Sequence, residues 1–295
     1  MVKDLTTEAR NKNTETIDQL STLEMVQLMN QEDKAVIEAV NSQTENIAQA
    51  IDAVVKSISK GGRLIYFGAG TSGRLGVLDA SEWLPTFGVG KESVIGLIAG
   101  GDTALRNPIE GAEDFEEMGQ EDLEEINLNE NDIVCAIASS GRTPYCIGGL
   151  KYAKEIGANT ISIANVENSL IGQHANIVIE AITGPEVITG STRLKAGSAQ
   201  KMILNIISTS SMIKYGKVYG NLMVDVIPNN EKLIDRAHFI IEEATGASLN
   251  ESKEALKKAN NNVKVAIIML KLGVDIDKAH FLIKKHNGRL GDIIA

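Results

Sequence analysis

Cysteine, long hydrophobic runs and an excess of basic charge are scarce or absent in this sequence of 295 residues. Its two cysteines, Cys135 and Cys146, lie beside apolar residues and form no metal-type cluster, which predicts buried free thiols. No apolar run reaches the ~18 residues of a membrane span, and the first residues do not resemble a signal peptide. The net charge of −10 argues against a nucleic-acid or anionic-membrane partner. These absences together predict a cytoplasmic protein.

One glycine-rich stretch, Gly68–Arg74, organises the rest of the chain. It follows an apolar segment typical of a buried strand, Arg63–Phe67, and precedes a segment typical of the start of a helix, Leu75–Glu82. A strand, a glycine-rich turn and a helix together point backbone N–H groups and the positive end of the helix at an anion. Glycine lets the backbone approach a phosphate, and Thr71 and Ser72 add hydroxyl donors. The sequence therefore predicts half of a phosphate-binding site here.

Short apolar runs alternate with helical patterns through the middle of the chain. The runs are Leu64–Phe67, Val94–Ala99, Ile133–Ala138, Thr160–Ala164 and Ile177–Ala181. This alternation predicts an α/β fold, in which a mainly parallel sheet is covered by helices on both faces. In such a sheet, ligands bind beyond the carboxyl ends of the strands.

A second hydroxyl-rich turn, Ser139–Pro144, follows the third of these runs. Pro144 suits the first turn of a helix and Gly157 suits its C-terminal end, so the chain repeats the arrangement of strand, turn and helix. A single polar turn after a strand is usually only a turn. Two such turns, each with paired hydroxyls and a glycine, favour a shared anion site.

Both ends of the chain are predicted to be helical. Apolar residues at helical spacing between Val36 and Ile58 predict one amphipathic helix that Gly61 and Gly62 end. Beyond about Asp235 the composition becomes rich in lysine, glutamate and alanine, with patterns for three or four short helices. We therefore predict three regions, which are N-terminal helices over residues 1–60, a central α/β domain over 61–234 and a small helical bundle over 235–295.

The glycines of the first turn also match the fingerprint of dinucleotide-binding proteins. That fingerprint requires an acidic residue at the end of the next strand, about 20 residues further on. Glu82 comes too early and Asp102 too late, and a nicotinamide cofactor leaves the second hydroxyl-rich turn unexplained. An oxidoreductase is therefore not favoured.

Two glutamates are candidates for acid–base chemistry. Glu82 lies beside the only tryptophan, and a carboxyl group against apolar walls can act as a proton donor near neutral pH. Taken alone, this stretch of sequence favours a solvated glutamate at a helix end. Glu113 lies among several acidic residues, and the charge pattern alone does not distinguish it from them. The histidines are scattered, so no metal site is expected.

The two turns together resemble the sugar isomerase (SIS) domain, a flavodoxin-like fold that binds phosphosugars. Three further stretches resemble the N-acetylmuramic acid 6-phosphate etherase family, namely Asp79–Glu82, Gly111–Asp114 and the long segment Gly184–Gly197. The resemblance covers most of the chain, including its helical C-terminal part, and the long segment is the most specific. The glucokinase regulatory protein shares this architecture but binds a partner enzyme.

This resemblance implies a carbon–oxygen lyase that needs no metal or redox cofactor. The family cleaves the ether between D-lactate and C3 of the sugar, by removal of the C2 proton, loss of lactate and addition of water. The resemblance implies Glu82 as the acid, with Glu113 as the candidate base, and Arg74 either assists the phosphate or makes a structural ion pair. The residues implied to bind the 6-phosphate or the substrate are Gly70, Thr71, Ser72, Ser139, Ser140, Gly141 and Thr143.

Two other functions stay open at this point. A phosphosugar aldose–ketose isomerase would also use a base at C2, but it would need no acid aimed at a leaving group on C3. A non-catalytic sugar-phosphate-binding regulator would keep the hydroxyl-rich turns and lose the carboxyl pair. The SIS architecture further implies a homodimer that shares residues across its interface, with the helical segments 31–59 and 191–216 as contact surfaces. Alternatively, these helices only cover the sheet.

Overall fold

The computed structural model describes residues 6–90 and 92–294. Internal contacts divide the chain into two compact units, Met1–Ser81 with Glu92–Ser208 and Glu82–Lys91 with Thr209–Ala295. The three regions predicted from the sequence stay a prediction. Within the described residues, none of the helices is both long and apolar enough to cross a membrane.

The first unit is built on a five-stranded parallel sheet with the spatial order β2-β1-β3-β4-β5. The strands are β1 (Leu64–Gly68), β2 (Val94–Ile98), β3 (Ile133–Ile137), β4 (Asn159–Ala164) and β5 (Ile177–Glu180). Each strand coincides with one of the apolar runs, so the predicted α/β class and parallel sheet are confirmed. The strand order reverses at β1, whose last residue Gly68 pairs with Ile137 of β3. Ligands bind at such a switch point in open α/β sheets.

Helices surround this sheet. They are α1 (Thr22–Glu32), α2 (Lys34–Asn41), α3 (Thr44–Ser59), α4 (Gly70–Phe87), α5 (Gly101–Arg106), α6 (Glu116–Glu125), α7 (Pro144–Ile156), α8 (Leu170–Gln173) and α9 (Lys195–Lys214). Short 3-10 turns precede them at Thr6–Glu8, Lys12–Thr14 and Ile17–Gln19. Phe67 of β1 packs against Tyr145 of α7, with ring centroids 5.2 Å apart, in a core that also contains Leu123 of α6.

The single helix predicted between Val36 and Ile58 is wrong, because the structure has α2 and α3 with a break at Ser42 and Gln43. At the break Ser42 Oγ donates to the Ala39 carbonyl at 2.7 Å, and such side-chain bonds compete with the helical ladder. The Gln43 side chain accepts a hydrogen bond from the backbone N–H of Glu180 at 3.1 Å. The break therefore ties the helical segment to the end of β5.

Pro85 lies inside α4, and the helix continues to Phe87. Proline removes its own N–H from the ladder and crowds the carbonyl group four residues before it, although its fixed φ is compatible with a helix. The backbone N–H of Gly88 closes the last turn on the Leu84 carbonyl at 3.0 Å.

The second unit contains a helical bundle, as predicted, but with more helices than the three or four expected. They are α10 (Glu231–Thr245), α11 (Leu249–Lys258), α12 (Val263–Leu272), α13 (Ile276–Lys285) and α14 (Leu290–Ile294), after the short antiparallel strands β6 (Val218–Tyr219) and β7 (Leu222–Met223). Side chains cap the first turns of α10 to α13, because each accepts a hydrogen bond from a backbone N–H there. These capping residues are Asn230, Ser248, Asn262 and Asp275.

Candidate active site

The two hydroxyl-rich turns lie at the same edge of the sheet, after the neighbouring strands β1 and β3. Gly73 allows α4 to start close to β1, because a Cβ atom there would lie 2.5 Å from the Gly68 carbonyl oxygen. Gly141 has a φ of +65°, and a Cβ atom on it would lie 2.5 Å from the Cβ of Ser169. Both turns therefore need glycine, and each leads into the N-terminus of a helix, α4 or α7, which favours an anion.

One buried glutamine joins the two turns. Ser72 Oγ donates to Gln200 Oε1 at 2.9 Å, and Gln200 Nε2 donates to Ser139 Oγ at 2.9 Å. The same nitrogen donates to Asn165 Oδ1 at 3.0 Å, and Asn165 Nδ2 donates to the Ala181 carbonyl at 2.9 Å. All four side chains are at most 9% exposed. The predicted residues Ser72 and Ser139 are thus brought together through α9.

The remaining hydroxyls of the turns are half-buried. Ser140 Oγ accepts a hydrogen bond from the Arg142 N–H at 3.3 Å. Thr143 directly precedes α7, and its side chain makes no capping bond to the described helix. Thr71 lies against α9, since its Cγ2 is 3.6 Å from the position that a Cβ atom on Gly197 would take. The second turn therefore offers two hydroxyl groups, those of Ser140 and Thr143, besides Ser139.

Glu113 lies beside the second turn. Its carbonyl oxygen accepts a hydrogen bond from the backbone N–H of Tyr145, at the start of α7, at 3.1 Å. Together with Gly70 of the first turn, Glu113 lines a cavity of about 190 Å³. The other lining residues are mostly small and apolar, namely Ala69, Arg74, Ala99, Ala104, Pro108, Ile109, Glu110 and Ala112. The structure thus brings Glu113 together with both turns.

The surroundings of Glu113 make it a better proton acceptor than an ordinary glutamate. Partial burial raises the pKa of its carboxyl group, and the neighbouring carboxylates of Asp114 and Glu110 raise this pKa further. The side chain keeps access to water. A carboxylate with a raised pKa, open to a cavity, suits general-base chemistry.

Arg74 has a structural role in this cavity wall. Its Nε donates to the Leu105 carbonyl at 3.0 Å, and its Nη2 donates to the Ala104 carbonyl at 2.6 Å. These are among the last carbonyl groups of α5, which lack partners within the helix. Arg74 therefore anchors α5 through backbone contacts, and it has no ion pair among the residues that the structure describes.

Glu82 lies on α4, within the second unit. Its side chain is exposed, whereas the neighbouring Trp83 is 1% exposed. The described residues therefore do not surround the Glu82 carboxyl group with the apolar side chains that the sequence suggested. In a single chain, Glu82 is therefore a solvated glutamate on a helix, which is the alternative that the sequence left open.

The segment Gly184–Gly197 fixes the start of α9. The Glu186 carboxylate accepts hydrogen bonds from the N–H groups of Lys195 and Ala196, both at 2.9 Å. Burial raises the pKa of Glu186, and these N–H donors oppose the shift. The Lys195 ammonium pairs with Glu32 at 3.0 Å. Because Gln200 lies little more than one turn further along α9, this segment sets its position between the two turns.

The chain is similar over nearly its whole length to proteins of known name. An N-acetylmuramic acid 6-phosphate etherase from Lactobacillus gasseri is 58% identical over 293 residues, which cover 99% of this chain and 99% of that protein. The chain belongs to the N-acetylmuramic acid 6-phosphate etherase family. An etherase from Clostridium beijerinckii is 55% identical over 287 residues, covering 97% of this chain and 94% of that protein. The resemblance seen in the sequence is thereby confirmed.

The SIS fold of this etherase-family chain is also confirmed. The family model described as glucokinase regulatory protein N-terminal SIS domain matches residues 46–154, and the SIS domain model matches residues 112–210. A solved phosphoheptose isomerase from Francisella tularensis has a TM-score of 0.53 at 19% identity, covering 66% of this chain and 100% of that chain. One from Neisseria gonorrhoeae has a TM-score of 0.50 at 17% identity, covering 65% and 98%. These two isomerases are therefore similar in fold to this chain.

Sequence reasoning named the two turns and Glu113 in this etherase-family chain, but it did not name Gln200 and Asn165, which bond to the turns or to each other. A signal for Gln200 was available, because a glutamine stands among apolar and small residues in the helical pattern of α9. The assignments of catalytic and phosphate-binding roles stay predictions. Among the residues that the structure describes, no group of three or more histidine, cysteine, aspartate or glutamate side chains is placed to hold a metal ion.

Proposed function

We propose that this chain cleaves the D-lactyl ether of N-acetylmuramic acid 6-phosphate and gives N-acetylglucosamine 6-phosphate and D-lactate. It is an enzyme of the carbon–oxygen lyase class, acting in the catabolism of cell-wall amino sugars, and its identity to named etherases over nearly the full length supports this. The observation that carries the proposal is the position of Glu113. Its backbone is bonded to the start of α7, directly after the second turn, and it lines a cavity together with Gly70 of the first turn.

The 6-phosphate binds at the two turns. Ser72, Ser139, Ser140 and Thr143 supply hydroxyl groups, and the N-termini of α4 and α7 supply partial positive charge. Dipoles of this kind bind an anion without a basic surface, which is consistent with the net charge of −10. A phosphate held here places the sugar carbons toward the cavity that Glu113 lines.

Glu113 is the base of the proposed reaction. In the open-chain aldehyde, the C1 carbonyl acidifies the C2 proton, and the Glu113 carboxylate takes that proton. The raised pKa of Glu113 strengthens the affinity of its carboxylate for this proton. The electron pair left at C2 then forms the C2–C3 double bond as the C3–O bond breaks.

Glu82 is the proposed acid. It protonates the ether oxygen as the C3–O bond breaks, so that this oxygen leaves as the hydroxyl group of D-lactate. Water then adds to the unsaturated aldehyde, with its hydroxyl on C3 and a proton on C2. The two glutamates return to their starting protonation states. The reaction balances without an oxidant or a reductant.

An assay of the purified protein distinguishes this function from the alternatives. With N-acetylmuramic acid 6-phosphate as substrate, we expect D-lactate and N-acetylglucosamine 6-phosphate in equal amounts. Aldose–ketose interconversion of a sugar phosphate, without lactate release, would support an isomerase. Binding of the sugar phosphate with no turnover would support a regulator.

The raised pKa of Glu113 predicts how the rate depends on pH. Because the base must be ionised, kcat/KM falls as the pH falls through the raised pKa, earlier than for an ordinary glutamate. Replacing Glu110 and Asp114 with Gln and Asn removes two like charges, so the pKa of Glu113 falls. We expect the acidic limb of the profile to move to lower pH. An acidic limb that stays in place would show that these charges do not act on the base.

We also propose that the chain forms a homodimer through an apolar groove of the first unit. Ile37 and Val40 of α2, Ile47 and Ile51 of α3, and Met202 and Ile206 of α9 are among the side chains that line this groove of about 320 Å³. Ile37 is 60% exposed and Ile206 is 37% exposed. Contiguous apolar surface of this kind is typical of protein interaction sites. A second copy is the expected occupant because the SIS resemblance implies a homodimer.

Light scattering on the purified protein tests the dimer. We expect a mass of twice the 31.6 kDa of one chain. Ile37→Lys places a charge in the groove and should shift the protein to the monomer. Ile234→Lys is the matched control, since Ile234 is an exposed isoleucine on α10, outside the groove, and its replacement should leave the mass unchanged. A wild-type monomer, or equal masses for wild type and Ile37→Lys, would contradict the proposal.

A further inference from the structure

We infer that Tyr145 is a positioning residue for the proposed base, because it holds both the loop that carries Glu113 and the helix that this loop enters. The inference rests on the proposed function in taking Glu113 as the residue that removes the C2 proton. Tyr145 is the second residue of α7 and is fully buried. The proposed mechanism gives it no chemical step, so it acts through Glu113.

The loop that carries Glu113 has little regular structure of its own. It runs from the end of α5 at Arg106 to the start of α6 at Glu116, and it contains only turns. The backbone N–H of Tyr145 donates to the Glu113 carbonyl oxygen at 3.1 Å. The N–H groups in the first turn of a helix lack acceptors within that helix, so this one is available to hold the loop. The bond therefore ties the backbone of the proposed base to the start of α7.

The side chain of Tyr145 makes a second attachment. Its hydroxyl group donates to Asp122 Oδ2 of α6 at 2.6 Å. Burial raises the pKa of Tyr145 well above its ordinary value, and the bond to Asp122 raises this pKa further, so the hydroxyl group keeps its proton and is the donor. Asp122 lies on the helix that the Glu113 loop enters. Tyr145 therefore holds the loop directly and also holds the helix at its far end.

Close packing of α6 on α7 surrounds these two bonds. A Cβ atom on Gly119 would collide with the Tyr145 carbonyl group, and a Cβ atom on Gly148 would collide with the Glu116 carbonyl group. The Tyr145 ring packs against Phe67 of β1 on its other side, with ring centroids 5.2 Å apart. The ring is thus held by the sheet, and its hydroxyl group transfers that rigidity to α6.

Tyr145→Phe tests the inference, because it removes the hydroxyl group and keeps both the ring and the backbone N–H. We expect exchange of the C2 proton of N-acetylmuramic acid 6-phosphate in D2O, and release of D-lactate, to slow by about tenfold. A catalytic group misplaced by about 1 Å can cost about 10²-fold in rate, and a loosened helix costs part of that. KM should stay within about twofold, because Tyr145 does not bind the substrate.

The rates are expressed per site that binds N-acetylglucosamine 6-phosphate in a calorimetric titration. A merely structural role for Tyr145 would lower the number of binding sites and leave the rate per site unchanged. The inferred role predicts the opposite, namely a normal number of sites and a slow rate at each.

Tyr152→Phe is the matched control. It removes the hydroxyl group of another tyrosine of α7, which packs against the same hydrophobic core, and the rate per site should stay within about threefold of wild type. A loss in Tyr152→Phe as large as that in Tyr145→Phe would contradict the inference.

Two changes at Asp122 test the same hydrogen bond from its other end. Asp122→Ala removes the acceptor and should slow exchange about as much as Tyr145→Phe. Asp122→Asn keeps a side-chain oxygen that can accept from the hydroxyl group, so its rate should stay within about threefold of wild type. The double variant of Tyr145→Phe with Asp122→Ala should be no slower than either single variant, because both changes remove one bond.

Normal exchange per site by Tyr145→Phe overturns the inference, and Asp122→Ala decides the question in the same way if Tyr145→Phe does not fold. If the wild-type protein exchanges the C2 proton without releasing lactate, the proposed lyase function fails, and the exchange rates still judge the inference. If the wild-type protein releases lactate and Tyr145→Phe does so at the normal rate, the lyase function stands and the inference fails.

Discussion

Replacing Glu113 with glutamine should abolish D-lactate release and stop exchange of the C2 proton of the substrate with solvent. The amide has the shape of the carboxyl group but cannot accept the proton, and losing a general base lowers kcat by about 10² to 10⁴-fold. Because proton removal comes first, no later step proceeds without it. Incubation of N-acetylmuramic acid 6-phosphate in D2O, with mass spectrometry for exchange and an enzymatic assay for D-lactate, measures both effects.

Glu110→Gln provides the matched control for this prediction. Glu110 lines the same cavity as Glu113, and its removal changes the local charge by the same amount. We expect its kcat at neutral pH to stay within about threefold of wild type, because the base itself is intact. Equal losses in the two variants would mean that the cavity needs negative charge in general and that Glu113 is not the base.

Replacing Glu82 with glutamine should also abolish D-lactate release, but it should leave exchange at C2 intact. Without the acid, the C3–O bond has no proton for its departing oxygen, and we expect kcat to fall by about 10² to 10⁴-fold. The base still removes the C2 proton reversibly, so deuterium should enter unreacted substrate. Glu82→Asp keeps a carboxyl group one methylene shorter and should retain part of the activity. Normal lactate release by Glu82→Gln would contradict the assignment of Glu82 as the acid.

Mixing the two inactive variants checks whether each is folded and where the two glutamates meet. Glu82 is exposed in a single chain, and the proposed dimer supplies a second chain. If acid and base belong to different subunits, random reassociation of Glu82→Gln and Glu113→Gln chains restores about a quarter of the wild-type sites. If both belong to one subunit, mixing restores none. Restored activity also shows that neither variant is misfolded.

The fold was predictable because its signals are local. The five strands follow directly from short apolar runs, and the helices of the second unit follow from periodic patterns with capping residues before them. The break between α2 and α3 was not predictable in the same way. It depends on polar side chains at Ser42 and Gln43, and Gln43 meets Glu180, a residue far along the chain. A periodicity argument has no access to such a contact.

The site was predictable in part, for reasons that differ from residue to residue. The two turns follow from glycines and hydroxyls after strands. Glu113 emerged only from the family resemblance, and its bond to the Tyr145 N–H shows why it lies at the second turn. Gln200 was missed because its partners, Ser72, Ser139 and Asn165, come from three other elements.

Glu82 shows a limit of reasoning from neighbours in sequence. Its apolar surroundings were suggested by the adjacent tryptophan. Consecutive side chains on a helix point about 100° apart, so the burial of Trp83 says little about the residue before it. The exposed side chain of Glu82 in one chain is the result of that geometry.

A crystal structure of the complex with N-acetylglucosamine 6-phosphate tests the central claim most directly. We expect the phosphate oxygens within hydrogen-bond distance of the Ser139 and Thr143 hydroxyls, and C2 of the sugar about 3 to 4 Å from a Glu113 carboxylate oxygen. A phosphate bound away from the two turns, or a C2 atom turned away from Glu113, would contradict it.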